Sequence, residues 1–182
     1  MVRRCALYLE NGRIDIMEDL GITFRYSKES DKDGIESLVT QCFGKRKRAY
    51  DDLERRYYVA VNSLGEVIAM TGIIDEGLYN APEIDWTCVR KDYRNKGLIV
   101  KMIGDILKEC KSNIYCSCWR FPGKSINLRH AMMTLGFKPV LLERARWDSR
   151  YNCDCGNHCV GPKNEEGYCI CYEDLYLWEH KE

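Results

Sequence analysis

The sequence predicts a mixed α/β (α+β) fold: a mostly antiparallel central sheet that contains one parallel strand-helix-strand crossover and carries flanking helices. Three observations predict it. Tyr57-Tyr58-Val59-Ala60-Val61, a turn from Asn62 to Gly65, and Val67 to Ile74 read as an antiparallel pair of β-branched and aromatic strands. Glu83-Ile84-Asp85-Trp86-Thr87-Cys88-Val89 reads as a strand, followed by a helix and then a further strand over Asn113 to Trp119. Strands joined in that way run parallel with a right-handed connection. Finally, 182 residues without repeats or Pro/Gly/Ser linkers suit one domain with one core.

Taken in order, Leu7 to Ile16 carries Asn11-Gly12 between alternating apolar residues, the signal of a tight hairpin, and reads equally as a mobile arm. Residues 1–21 are therefore set apart from a domain spanning 22–182. Ile22 to Tyr26 is a short strand. Ser30 and Asp31 then offer caps for a helix with Ile35, Leu38, Val39 and Cys42 on one face. The crossover helix shows Ile99, Met102, Ile103, Ile106 and Cys110 at helical spacing. Ser125 can cap a helix that runs through Leu135 and stops at Gly136. Pro139 to Arg146 and Tyr168 to Trp178 read as the closing strands, with a cysteine-rich hairpin over about 150–172 between them.

The 28 Lys and Arg balance the 28 Asp and Glu, so no global field draws the chain to nucleic acid or an anionic membrane. The basic run Lys45 to Arg48 reads as a solvated loop. The basic opening Met1 to Leu9 lacks a cleavage site, and no stretch suits a bilayer. A cytoplasmic setting is expected, in which the eleven cysteines are thiols or metal ligands rather than disulfides.

The chemistry concentrates in the crossover. A helix that follows a strand through a glycine-bearing loop presents free N–H groups, and its dipole favours negative charge there. Gly97 lets backbone approach a ligand, while Arg94 and Lys96 add positive charge. Alone, this loop is also what an ordinary solvated basic loop looks like.

The run Val89 to Leu98 resembles the acetyl-CoA motif of the GNAT family of N-acetyltransferases, Arg/Gln-x-x-Gly-x-Gly/Ala after a strand ending in Val. The element order from Ile22 onward is similar to that family too, including a late helix ending in Leu135-Gly136-Phe137. The resemblance implies that the fourth and fifth strands splay, with the pantetheine arm of acetyl-CoA in the wedge. It implies that the backbone of Cys88 and Val89 pairs with that arm and that the N–H groups of Arg94, Asn95, Lys96, Gly97, Leu98 and Ile99 take the pyrophosphate. Asn127 stands where the family often has an asparagine near the coenzyme.

Three positions depart from the pattern: Ile99 replaces a Gly or Ala, Asn95 a second Gly, and Met132 the Tyr that protonates the leaving thiolate. The first two are compatible with a site built from backbone donors if their side chains point away. A thiol has a pKa of about 8.5, so its anion leaves without an obligatory acid. Tyr115, Ser125 or water could substitute.

The acceptor amine must lose a proton, and Glu83 stands where histone-acetylating members of the family carry their general base. Asp85, two residues on, shares its face. Both read equally as solvent-facing strand residues or an acceptor-binding patch.

Cys153, Cys155, Cys159 and Cys171, with Cys169 and His158 as alternates, could gather as a structural zinc site, since alternate strand residues share a face. Free thiols or cross-hairpin disulfides fit the same residues. Cys42, Cys88, Cys110, Cys116 and Cys118 read as packing residues. The resulting expectation is an N-acetyltransferase using acetyl-CoA on a primary amine of a small molecule or protein. The rival expectation is a catalytically weak CoA-binding or zinc-stabilised interaction module on the same fold.

Overall fold

The computed structural model of the chain describes residues 21–43, 55–77, 80–120, 127–140 and 172–181. The elements are β1 (Thr23–Tyr26), α1 (Lys32–Phe43), β2 (Arg55–Val61), β3 (Val67–Ile74), β4 (Glu83–Val89), α2 (Leu98–Glu109), β5 (Ile114–Arg120), α3 (Asn127–Thr134), β6 (Lys138–Val140) and β7 (Tyr172–Trp178). The Leu7 to Ile16 hairpin or arm, the basic run Lys45 to Arg48, Ser125, residues 141–146 and every cysteine from Cys153 to Cys171 lie outside the described residues.

The strands form one sheet in the order β1-β2-β3-β4-β5-β7-β6. Every pairing is antiparallel except β4 with β5. The mixed sheet and its parallel crossover are thus as the sequence predicts. The insertion of β7 between β5 and β6 is a non-local choice that no local pattern carries.

Helices cover both faces. On one, α2 buries Leu98, Met102, Ile103, Ile106 and Leu107 against Ile84, Cys116, Phe137 and Tyr176, with Met132 of α3 in the same cluster. On the other, Ile35, Leu38 and Val39 of α1 pack on Tyr57, Val59, Val61, Met70 and Cys88. The apolar stripe of α2 is rotated slightly from the expected one, so Ile99 and Cys110 are only partly buried. A helix that covers a sheet needs a stripe wider than 100°, which admits Leu98 and Leu107 beside the expected residues. No described helix is long and apolar enough to cross a membrane.

Asp31 does not act as a simple forward cap. Its carboxylate turns back to take Arg25 Nη1 at 2.6 Å, Arg25 Nη2 at 3.0 Å and the Lys28 N–H at 2.7 Å. The bidentate Arg25 guanidinium, ahead of the Lys28 amide, holds this carboxyl below its ordinary pKa. A depressed folded pKa contributes stability that is present above the unfolded value of about 3.9 and is lost as pH falls through the folded value. Asp31→Asn should therefore lower stability at neutral pH by about 1–2 kcal/mol, a figure reduced for the partly exposed Arg25. The deficit should shrink in acid, which denaturant titrations at pH 7 and below pH 3 will show.

Candidate active site

β4 and β5 pair only at their starts, Glu83 with Tyr115 and Ile84 with Cys116. Beyond that, β5 stays with β7 as far as Arg120 and β4 stays with β3 as far as Val89. The strands consequently open into a wedge walled by their second halves.

A bulge decides which groups face it. Gly72 pairs with Asp85 and Met70 with Cys88, so two steps on β3 match three on β4. The extra residue is taken up around Trp86, whose φ of 45° is rare for a bulky side chain. Thr71 and Thr87 share a hydroxyl hydrogen bond of 2.8 Å across it. Before the bulge, Pro82 O accepts from Tyr115 N–H of β5 at 2.9 Å; after it, Arg90 N–H donates to Ile68 O of β3 at 2.8 Å. In a regular strand, residues 82 and 90 would point the same way, so the bulge has reversed the alternation. Val89 now turns its N–H and C=O to the wedge side, and Cys88 turns its own to β3. Of the two residues expected beside the pantetheine, Val89 is the one whose backbone faces the opening.

The loop from β4 to α2 closes the wedge at one end. After a short 3-10 turn over Lys91–Tyr93, Arg94 is extended, and Gly97 adopts φ 83° as the residue before α2. Asn95 is also left-handed, with φ 62°, a conformation asparagine tolerates better than most residues. That explains how the chain dispenses with glycine there. The first helical bond runs from Lys101 N–H to Gly97 O at 3.1 Å. The N–H groups of Leu98, Ile99 and Val100 therefore precede the first helical bond and have no partner within α2. Leu98 is buried and Ile99 packs against the core, so neither side chain crowds these donors.

The loop's cations are not equivalent. Arg94 folds back, its Nε donating to Val89 O at 3.1 Å and its Nη2 lying 3.9 Å from Cys42 Sγ. Lys96 Nζ stacks 4.9 Å from the Tyr93 ring centroid, and the Arg90 guanidinium sits 4.8 Å from the same ring. Arg90 is engaged further by Asp92 at 2.9 Å and Glu66 at 3.0 Å, and these partners raise its pKa. Arg94 braces the wedge wall, while Lys96 is the cation beside Gly97.

Glu83 and Asp85 share the α1-side face of β4, as their spacing predicts, but their surroundings differ. Glu83 is 8% exposed, and Ser117 Oγ of β5 donates to its Oε1 at 2.9 Å. The backbone of Gly77 lies so close that a Cβ there would meet Glu83 Cβ at 2.5 Å. Asp85 instead pairs with Arg55 Nε at 3.0 Å and accepts its neighbour Trp86 N–H at 2.8 Å, so its carboxylate braces the bulge. Ser117 and Arg55 carry no motif. The alternation of β5 puts Ser117 opposite Cys116 and Cys118, but its meeting with Glu83 depends on a parallel register that sequence does not reveal.

Met132 is fully buried in α3, so this position supplies neither a proton nor a wedge-lining group. Asn127 is the first residue of α3. Among the described residues no group of three or more His, Cys, Asp or Glu is arranged to hold a metal. The zinc set of Cys153, Cys155, Cys159 and Cys171, with Cys169 and His158, lies outside them.

Comparisons with known proteins agree with this geometry. The chain superposes on an aminoglycoside 6'-N-acetyltransferase complexed with coenzyme A with a TM-score of 0.62 and 12% identity, covering 86% of this chain and 96% of that one. A second aminoglycoside 6'-N-acetyltransferase, from Enterococcus faecium, gives 0.58 and 14%, covering 86% and 96%. A GNAT superfamily phosphinothricin acetyltransferase from Sinorhizobium meliloti, in complex with AcCoA, gives 0.59 and 13%, covering 88% and 89%. Identities this low show the fold alone. A search of curated proteins returned no match. The sequence model of the acetyltransferase (GNAT) family matches residues 16–129, which include α1, the bulged β4, the wedge and the loop before α2, and the chain belongs to that family.

Proposed function

We propose that this protein transfers an acetyl group from acetyl-CoA to a primary amine. The observation that carries the reading is the wedge between β4 and β5, ending on the left-handed Gly97 and the first-turn N–H groups that have no partner within α2. In this reading the pyrophosphate takes the N–H groups from Asn95 to Ile99, with Lys96 beside it, and the pantetheine runs along Val89; the Arg94 N–H, expected among these donors, is given instead to Lys91 O at 3.4 Å. The acetyltransferases cited above that were solved with coenzyme A or AcCoA support the choice of co-substrate.

An alkylamine near pKa 10.4 is protonated at neutral pH and must lose a proton to attack the thioester carbonyl. Glu83 is placed to accept it, directly or through one water, and Ser117 orients the carboxylate by donating to Oε1. The carbonyl oxygen becomes negative during attack, and the Val89 N–H is the wedge-facing donor assigned to it. Met132 has no proton to give, and a thiol of pKa about 8.5 leaves as its anion without an obligatory acid from that position. The lack of an acid at Met132 favours a second reading, a CoA-binding module with weak turnover.

Incubation with acetyl-CoA and a panel of small amines, aminoglycosides and lysine peptides, followed by thiol release, separates the two. Release above the hydrolysis rate with at least one amine is expected. Coenzyme binding with no release across the panel would favour the module.

A further inference from the structure

Val89 ends β4 with its carbonyl turned to the wedge, at a point where β5 has already parted from β4. In a continuous parallel pair the neighbouring strand would satisfy that oxygen. Here the chain folds a donor back onto it. Arg94 Nε donates to Val89 O at 3.1 Å, and Cys42 Sγ, in the last turn of α1, lies 3.7 Å from the same oxygen. Arg94 Nη2 stands 3.9 Å from Cys42 Sγ. On the other side of the same peptide, Arg90 N–H donates to Ile68 O of β3 at 2.8 Å, so the unit between Val89 and Arg90 is held at both ends.

By sequence, Arg94 and Lys96 together bring positive charge to a ligand at Gly97. The geometry separates them. Lys96 Nζ stays over the Tyr93 ring, next to Gly97, whereas Arg94 gives its backbone N–H to Lys91 O and its Nε to Val89 O. Nε and Nη2 form one edge of the guanidinium fork, the kind of edge that grips a phosphate, and in this chain that edge faces Val89 O and Cys42.

We propose, on the acetyl-CoA reading of this site, that Arg94 is a positioning residue for the pantetheine half of the coenzyme, acting through Val89, and not a ligand of the phosphates. Held by Arg94, the peptide after Val89 is kept from turning. The Val89 N–H then keeps its aim at the thioester end of the arm, where a small misplacement is costly. Arg94 is exposed, so in the free chain water competes for Val89 O and the bond adds little to stability. A pantetheine arm laid along Val89 covers that oxygen, and without its donor the carbonyl would be buried unsatisfied. The contribution of Arg94 therefore emerges when the coenzyme binds.

Two variants separate a hydrogen-bond donor from a charge. Glutamine carries its amide nitrogen as many bonds from Cα as arginine carries Nε, so Arg94→Gln keeps the donor and loses the charge. Arg94→Met reaches as far and loses both. In calorimetric titration of the full chain, acetyl-CoA affinity is expected to fall about tenfold in Arg94→Met and less than about threefold in Arg94→Gln. Affinity for ADP, which carries the diphosphate without the arm, should be the same in both variants and in wild type, and so should the thermal midpoint. Equal losses of acetyl-CoA affinity in the two variants, or a loss of ADP affinity in both, would make Arg94 a phosphate ligand and overturn the proposal. Unchanged acetyl-CoA affinity in Arg94→Met overturns it too, as does a fall in its thermal midpoint that glutamine restores, which would make the residue merely structural. Wild-type protein that binds no acetyl-CoA is a separate failure, that of the coenzyme reading itself, and takes the proposal with it.

Discussion

Gly97→Glu is expected to weaken acetyl-CoA binding at least a hundredfold, about 2.7 kcal/mol. Two effects act together. Gly97 has φ 83°, where a side chain adds strain of roughly 1–2 kcal/mol, and the residue stands at the N-terminus of α2 beside the N–H groups that lack a helical partner. A carboxylate there occupies the place of the pyrophosphate and repels it. Gly97→Ala separates the effects, since it carries the strain without the charge and should lose far less affinity. Equal losses in the two variants would mean that backbone geometry, not anion binding, is what the glycine serves.

Glu83→Gln is expected to lower turnover about a hundredfold, with the apparent affinity for acetyl-CoA unchanged. Glutamine keeps an acceptor for Ser117 Oγ, now 2.9 Å from Oε1, and fills the tight space against Gly77, so packing is conserved while the base is lost. Asp85→Asn removes the charge that meets Arg55 and should act mainly through the bulge, with a smaller fall in turnover. Steady-state rates with whichever amine the panel identifies will rank them. A Glu83→Gln enzyme as fast as wild type removes Glu83 from the chemistry.

The loop before α2 was legible in the sequence because its signal is local: a polar turn, one glycine, then a helix with a clear apolar period. Gly97 needs no tertiary context to be understood. The shared face of Glu83 and Asp85 was legible for the same reason, through the two-residue period of a strand. Their separate surroundings were not, because Ser117 and Arg55 reach them from other strands through register and sheet order. The bulge at Trp86 was equally hidden. Nothing in Asp85-Trp86-Thr87 favours a left-handed tryptophan, yet that one residue turns Val89 toward the wedge. Asp31 shows a third kind of gap: its type suited a helix cap, but the nearby Arg25 claims the carboxylate.

The central claim is that the wedge and the N-terminus of α2 hold acetyl-CoA, and calorimetric titration of the full chain with acetyl-CoA tests it most directly. The account predicts saturable one-to-one binding, competed by free CoA. Absence of heat and of competition at millimolar coenzyme would contradict it.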